Sequence, residues 1–314
     1  RCDITKQEDI DAAFSQIENG MLLDLAHDAM KNGSVMRAVY EQPALARQDG
    51  LWMLNNKRWG RIGGINGHGY NLTIGKDFLF DEHGYYGLLF DYGSNTVSGA
   101  AGSGEYDSYS LGLYAGNKNK PGSITGFVSY GLQANKGTAY LPVLGQTAES
   151  GYDSKTLGIG VEYAYDLDYG KPEELWHVSP YARLNFTHYR QKAFREHGAG
   201  VFDRSFGSYS DNYAEGELGL SFDRSEGTGG YGIRLGYKRI LAGERQLMEV
   251  CFAEDECGSL LPVRSWGEGR NHFVAAAYVR HDFSRKWSAG GSLSGDWSNG
   301  GREIGARLDL AYHF

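Results

Sequence analysis

Nowhere in the chain does an apolar run approach the about eighteen residues that a membrane-spanning helix needs, and one of the longest runs covers only residues 273–279. A helical span is therefore excluded, but a β-barrel span is not, because it alternates apolar and polar residues and averages out hydrophilic. Proline takes only 6 of 314 positions, and glycine, at 46, shows no Gly-X-Y period, so collagen is excluded. Basic residues are in the minority, 31 against 39 acidic for a net charge of -8, which argues against a nucleic-acid binder. No H-x-x-x-H or H-E-x-x-H spacing occurs among the nine histidines, so a zinc site has little support and no cofactor is expected. No apolar secretory core follows Arg1, and the chain starts without Met, so it is expected to be a piece of a longer protein. Cysteine is scarce. Cys251 and Cys257 are close enough in sequence to pair, which leaves Cys2 over.

What is abundant is aromatic: Phe, Trp and Tyr make 13% of the chain, too many for a disordered polymer. Two regions differ in period. Residues 1–49 read as helical. Thr5-Lys6-Gln7-Glu8 forms a capping box, and Ile10, Phe14, Ile17, Met21 and Leu25 then recur at spacings of three and four. Asn32-Gly33 ends this helix, Ser34 caps a second over about 35–42, and Pro43 stops it. From 50 to 314 the period is two. Leu157, Ile159, Val161, Tyr163 and Tyr165, for example, alternate with Gly158, Gly160, Glu162 and Ala164.

Twelve such runs are expected, near 51–65, 69–80, 84–96, 105–117, 122–136, 153–167, 176–191, 211–224, 228–241, 270–283, 286–298 and 301–314. Short links at 81–84, 117–122, 168–175, 223–228 and 282–285 alternate with longer ones near 95–105, 137–152, 192–210 and 242–269. Asn66-Gly67 and Asn299-Gly300 are short hairpin signals among the latter set. Short turns on one rim and long loops on the other are the outer-membrane arrangement. Many runs reach ten residues or more, beyond the usual soluble strand, and aromatics sit near their ends, as at Phe78, Phe80, Trp287, Trp297, Tyr312 and Phe314. The expected fold is therefore an all-β membrane protein, a 12-stranded antiparallel transmembrane barrel. Its polar face, the lumen, carries both signs: Glu162, Arg183, Glu215, Glu217, Arg234, Lys238, Arg280, Arg307 and Asp309. Mixed charge suits ion-paired packing around a contained object as much as an ion-selective channel. A twelve-stranded lumen should be close to the ~10–12 Å diameter of one helix, and a helical segment precedes the first strand, so it is expected to thread or plug the barrel.

The sequence resembles the C-terminal translocator barrel of type Va autotransporters, the type V secretion proteins of Gram-negative bacteria. The resemblance covers about 50–314 and rests on Arg58-Trp59-Gly60-Arg61, on 108–116 (SYSLGLYAG), 180–185 (PYARLN), 230–238 (GYGIRLGYK) and 283–297 (FSRKWSAGGSLSGDW), and on the terminal phenylalanine. Gly305, Leu308, Leu310, Tyr312 and Phe314 resemble the signal read by the outer-membrane assembly machinery. The resemblance implies a protein of the Gram-negative outer membrane, with periplasmic C-terminus and extracellular long loops, that exports and anchors its own N-terminal passenger. Its partners would be the assembly machinery, the lipid bilayer with its lipopolysaccharide, and that passenger, and it would act as a monomer without nucleic acid. Of the two helical pieces, 34–48 is expected in the lumen, with Arg37, Glu41 and Arg47 facing Glu215, Glu217 and Arg234, and the farther piece outside or at the passenger's end.

Two other classes compete: a plugged porin-like channel and a barrel enzyme. Some autotransporters cut themselves between two asparagines of the pore helix, but Asn55-Asn56 sits beside the first strand, so no catalytic role is expected. Asp282, His281 and Ser284 are near in sequence but fall at a short turn. The acidic run Glu254-Asp255-Glu256 is expected to be a solvated loop tip rather than a calcium site. It lies between Cys251 and Cys257, whose disulfide would shape an outer loop.

Overall fold

The computed structural model describes residue 18 and residues 20–32, 39–40, 49–119, 121–169, 176–252, 254 and 258–314. Its frame is one closed antiparallel sheet. In chain order the strands that build it are β1 (Gly50–Ile62), β2 (Ile65–Leu79), β3 (Gly84–Gly99), β4 (Gly102–Asn119), β5 (Gly122–Leu141) and β6 (Gln146–Tyr165). The short β7 (Leu167–Tyr169) and the long β8 (Trp176–Gln191) follow. After β9 (Phe194–Arg195) and β10 (Arg204–Phe206) come β11 (Tyr209–Glu226) and β12 (Gly229–Ala242). After β13 (Leu247–Phe252) and β14 (Leu260–Arg264) come β15 (Asn271–Asp282), β16 (Trp287–Ser298) and β17 (Gly301–His313). Each long strand pairs with the next. β8 pairs with β11, and β17 returns to β1 along the whole register from Gly50↔His313 to Ile62↔Gly301, so twelve long strands close among the described residues. Closure leaves no open edge, which a sheet in lipid requires.

The alternation read from the sequence is the wall itself. On β17, Ile304, Leu308, Leu310 and Tyr312 point outward while Glu303, Arg307 and Asp309 are buried inside. Aromatic side chains mark both ends of the outer face: Trp287, Tyr312 and Phe314 near the rim that holds the barrel's two ends, and Trp59, Phe273 and Trp297 near the far rim.

Two of the outer links depart from expectation. The stretches 95–105 and 137–152 are not long loops, because β3 and β4 run on to a two-residue turn at Ala100 and Ala101. Likewise β5 and β6 continue to a single 3-10 turn at Pro142–Leu144. These glycine-, serine- and threonine-rich segments lack an apolar alternation, but ladder pairing uses only backbone groups, so strands extend past the membrane band without one. The first hairpin also turns earlier than Asn66-Gly67 suggests. Gly63 takes the left-handed conformation (φ 55°) with Gly64 beside it, and Asn66 and Gly67 already belong to β2. A Cβ on Gly63 would stand 2.5 Å from the Trp266 ring, so this turn is pressed against the 243–270 link. Asn299 and Gly300 do form the turn between β16 and β17.

The long links 192–208 and 243–270 are themselves structured. They contribute β9, β10, β13 and β14 to a second, four-stranded antiparallel sheet at the far rim, in the order β14-β13-β10-β9. Its apolar face, with Phe206, Met248, Val250 and Val263, packs into the same core as the helix α1 (Met21–Lys31) and barrel residues Ile65, Val97, Tyr106, Tyr152, Tyr189 and Tyr213.

The helix therefore lies inside the barrel mouth, not outside it as expected for the farther helical piece. Asn32 caps its end, as Asn32-Gly33 suggested, while the earlier residues Ile10, Phe14 and Ile17 lie outside the described residues. Of the nearer piece, 34–48, only Val39 and Tyr40 are described. They are buried with Trp52, Leu54, Tyr85, Leu89, Tyr114, Phe127 and Ala311.

Candidate functional site: the occupied lumen

Every residue of α1 is buried, and its charged groups are partnered: Asp24, His27, Asp28 and Lys31 each meet a barrel or loop group. Asp28 takes a two-pronged contact from Arg58 of β1, at 2.6 and 3.1 Å, and the Tyr106 hydroxyl donates to it at 2.9 Å. Arg58 also reaches Glu303 of β17 (3.4 Å) and donates to the side-chain amide oxygen (Oδ1) of Asn95 on β3 (2.7 Å). Glu268, in the link before β15, sits between His27 (3.1 Å) and Lys31 (2.7 Å) and accepts from Tyr213 of β11 at 3.0 Å. Asp24 accepts the backbone N–H of Trp266 at 2.7 Å. The helix is thus tied to both sides of the barrel seam and to the far-rim link at once. Removing one member of such a pair would strand the other as a buried charge, which is strongly destabilising.

The electrostatics of the helix end differ from group to group. Burial pushes the Asp24 carboxyl up to about 7, against the lowering effect of the Trp266 N–H and His27. Burial also works against the Glu268 carboxylate, but the Lys31 ammonium and His27 outweigh it and hold Glu268 well below the usual carboxylate range. Lys31 is correspondingly raised: burial opposes its charge, and Glu268 and Glu303 more than compensate.

Further into the barrel, Lys238 pairs with Asp296 and lies 3.7 Å from Glu215, while His272 contacts Asp296 at 2.6 Å. Arg183 pairs with Glu162 at 2.7 Å, Arg234 with the same carboxylate at 3.2 Å, and Arg183 lies 3.6 Å from Glu217. The Arg183 guanidinium stands 4.6 Å from the ring centre of Tyr40, so Tyr40 touches this layer through its aromatic face. Arg307 and Asp309 contact each other at 3.4 Å on β17, and Arg280 meets Asp282 at 2.5 Å near the terminal rim. Glu215, Glu217 and Arg234 have these partners within the wall. Their expected partners Arg37, Glu41 and Arg47 lie outside the described residues.

The remaining sequence candidates separate. Asn55 and Asn56 lie in the unbroken β1 ladder, not in a helix: Asn55 donates to the Tyr70 hydroxyl at 2.8 Å on the outer face and Asn56 is buried inside. Leu308, Leu310, Tyr312 and Phe314 share the outer face of the closing strand, and Gly305 lies on the inner one. Cys251 is buried at the end of β13, Glu254 is exposed in the turn beyond it, and Asp255, Glu256 and Cys257 lie outside the described residues. Sequence reasoning missed Asp28, Arg58, Glu268 and Glu303. The signal was present: Asp24, His27, Asp28 and Lys31 at spacings of three and four make a polar stripe beside the apolar one.

A closed twelve-stranded barrel whose mouth is filled by a helix from its own N-terminal side defines the class: an outer-membrane transport unit. The Autotransporter beta-domain family matches residues 51–294, and the chain belongs to it. Among solved structures, the fold is similar to the translocator domain of the autotransporter NalP from Neisseria meningitidis, with 18% identity and a TM-score of 0.76 over 92% of this chain and 97% of that one. It is also similar to the β domain of the Bordetella autotransporter BrkA (15%, TM-score 0.64, 85% and 100% covered). The transport unit of AIDA-I from Escherichia coli is a third such fold (11%, 0.62, 92% and 99%). The comparison with curated protein sequences found no match. The protein is an outer-membrane translocator that is embedded in the membrane and serves an N-terminal passenger.

Proposed function

We propose that the passenger leaves through this barrel and that α1 is the part of the chain left in the lumen when export ends. One observation carries the reading. Gly20 lies against the backbone of Arg264 and Ser265 at the far rim, and the Asp49 carbonyl accepts from the Phe314 N–H at the terminal rim. Gly20 and Asp49 thus lie at opposite rims of the barrel, which supports a chain that passes from one to the other. With the barrel ends in the periplasm, everything N-terminal of Gly20 is outside the cell and the far-rim sheet is extracellular. Residues 1–49 then form the linker and 50–314 the translocator.

The ion pairs described above make α1 a plug, which favours export and anchoring over a free channel. No peptide-bond cleavage is assigned to Asn55-Asn56, whose geometry is that of a strand. The outer face of β17 down to Phe314 is the segment offered to the outer-membrane assembly machinery, and Cys251 pairs with Cys257 in the surface loop. The test is a short epitope-tagged passenger fused ahead of Arg1 behind a secretion signal. The tag should be cut by protease added to intact cells. A protected tag in cells whose barrel is fully heat-modifiable would overturn the reading.

A further inference from the structure

On the outer face of the barrel, near the far rim, Arg61 of β1 and Arg302 of β17 stand directly opposite one another in register. Both are exposed, and Arg61 donates from Nε to the Gly63 carbonyl at 3.2 Å, which holds its guanidinium at the rim. Their other register neighbours on this face are Asn66 and Trp297, with Trp59, Ile304 and His68 one step inward. None of these is a carboxylate. Lys57 lies two residues below Trp59 on the same column of β1 and places its ammonium 5.2 Å from the centre of that ring.

Two like charges directly opposite in a ladder repel, and cations on a lipid-facing wall are costly. Elsewhere in this protein, buried cations are matched by carboxylates. Here no carboxylate of the chain lies among these neighbours, and the exposed pair is open to an anion from outside the chain. The flanking tryptophans place the pair at the level of the headgroups, where indole rings settle. Two planar guanidinium forks are the donors that suit a phosphate with several free oxygens.

We infer that Arg61 and Arg302, with Lys57 and the faces of Trp59 and Trp297, bind the phosphomonoester of a phosphorylated glycolipid in the outer leaflet. The leaflet assignment rests on the orientation proposed above; the charge geometry does not. The test uses the folded full chain in micelles, with tryptophan fluorescence followed during titration with bisphosphorylated lipid A. Saturable binding is expected, weakened by about tenfold or more in Arg61→Ser/Arg302→Ser and with dephosphorylated lipid A. Equal binding by the double variant, by dephosphorylated lipid, or by phosphatidylglycerol would overturn the proposal. So would competition by inorganic phosphate, which would mark a free-anion site. If the serine pair does not fold, Arg61→Lys/Arg302→Lys carries the test: it keeps the charge and loses the forks, so several-fold weaker binding is expected and wild-type affinity would overturn the assignment. Orientation is read separately, from an epitope inserted between Ala100 and Ala101. Its absence from the surface of intact cells would sink the orientation and leave the binding result standing.

Discussion

At the scale of single residues, Asp24 shows what burial does when no full cation compensates it. Its carboxyl, pushed up to about 7 from an ordinary 3.8, is bonded to the Trp266 N–H and lies near His27. A raised carboxyl holds a proton in the docked helix that the released helix has already lost. Docking is therefore strongest below about pH 4 as far as this group is concerned, and that contribution fades as pH rises through about 7. His27, Glu268 and Lys31 share the helix end, so the Asp24 part is isolated by substitution. Amide exchange of α1, corrected for its intrinsic rate, should be slower at pH 5 than at pH 8, and Asp24→Asn should flatten that difference while keeping the acceptor oxygen. An unchanged pH dependence in the variant would show that Asp24 does not report on docking. The residues that matter here were only half legible in the sequence. The wall alternation marked Glu162 and Arg183 as inner-face residues. It said nothing of Glu268, which lies in a link with no period and whose role comes from the loop folding back onto the helix.

At the scale of elements, the strands were readable and their ends were not. Apolar alternation identified the long strands because each must present one face to lipid. It stopped at 96 and 136 because the far-rim extensions of β3 and β5 put polar residues such as Ser98 and Lys136 on the outer face and carry no apolar row there. The helix ended where Asn32-Gly33 implied, but its location was misjudged, since an apolar stripe reads the same against a lumen as against another domain. The closing strand carries a prediction of its own. Phe314 lies edge-on to Tyr312 at 5.6 Å and beneath Lys76 at 5.3 Å, extending the outer aromatic row of β17. Its deletion should lower the amount of heat-modifiable barrel in the outer membrane and leave unfolded chain in the periplasm; normal levels would contradict a role in assembly. The loop cysteines give a second prediction. Closing only the residues between positions 251 and 257 constrains the chain less than the ~3 kcal/mol of a fifteen-residue loop, and the barrel is held by its closed ladder. Replacing both by serine should leave heat-modifiability intact and make the surface loop easier to cut. Alkylation of both thiols in unreduced protein would show that no bridge forms.

At the scale of the molecule, the barrel, the far-rim sheet and α1 share one core. The sheet closes over the helix with Met248, Val250 and Val263, and the helix fastens to β1, β17 and the loop through Asp28, Lys31 and Glu268. On the reading proposed above, this arrangement suits a transporter that seals after export, with α1 supplying the apolar and charged groups that these barrel and loop residues meet. The most direct measurement of this account is ion conductance in planar bilayers for the full chain and for a barrel lacking residues 1–48. Removing an object of ~10–12 Å diameter from the lumen should raise single-channel conductance several-fold while the barrel stays heat-modifiable. Equal conductance with and without the segment would contradict the claim that the helix fills the pore.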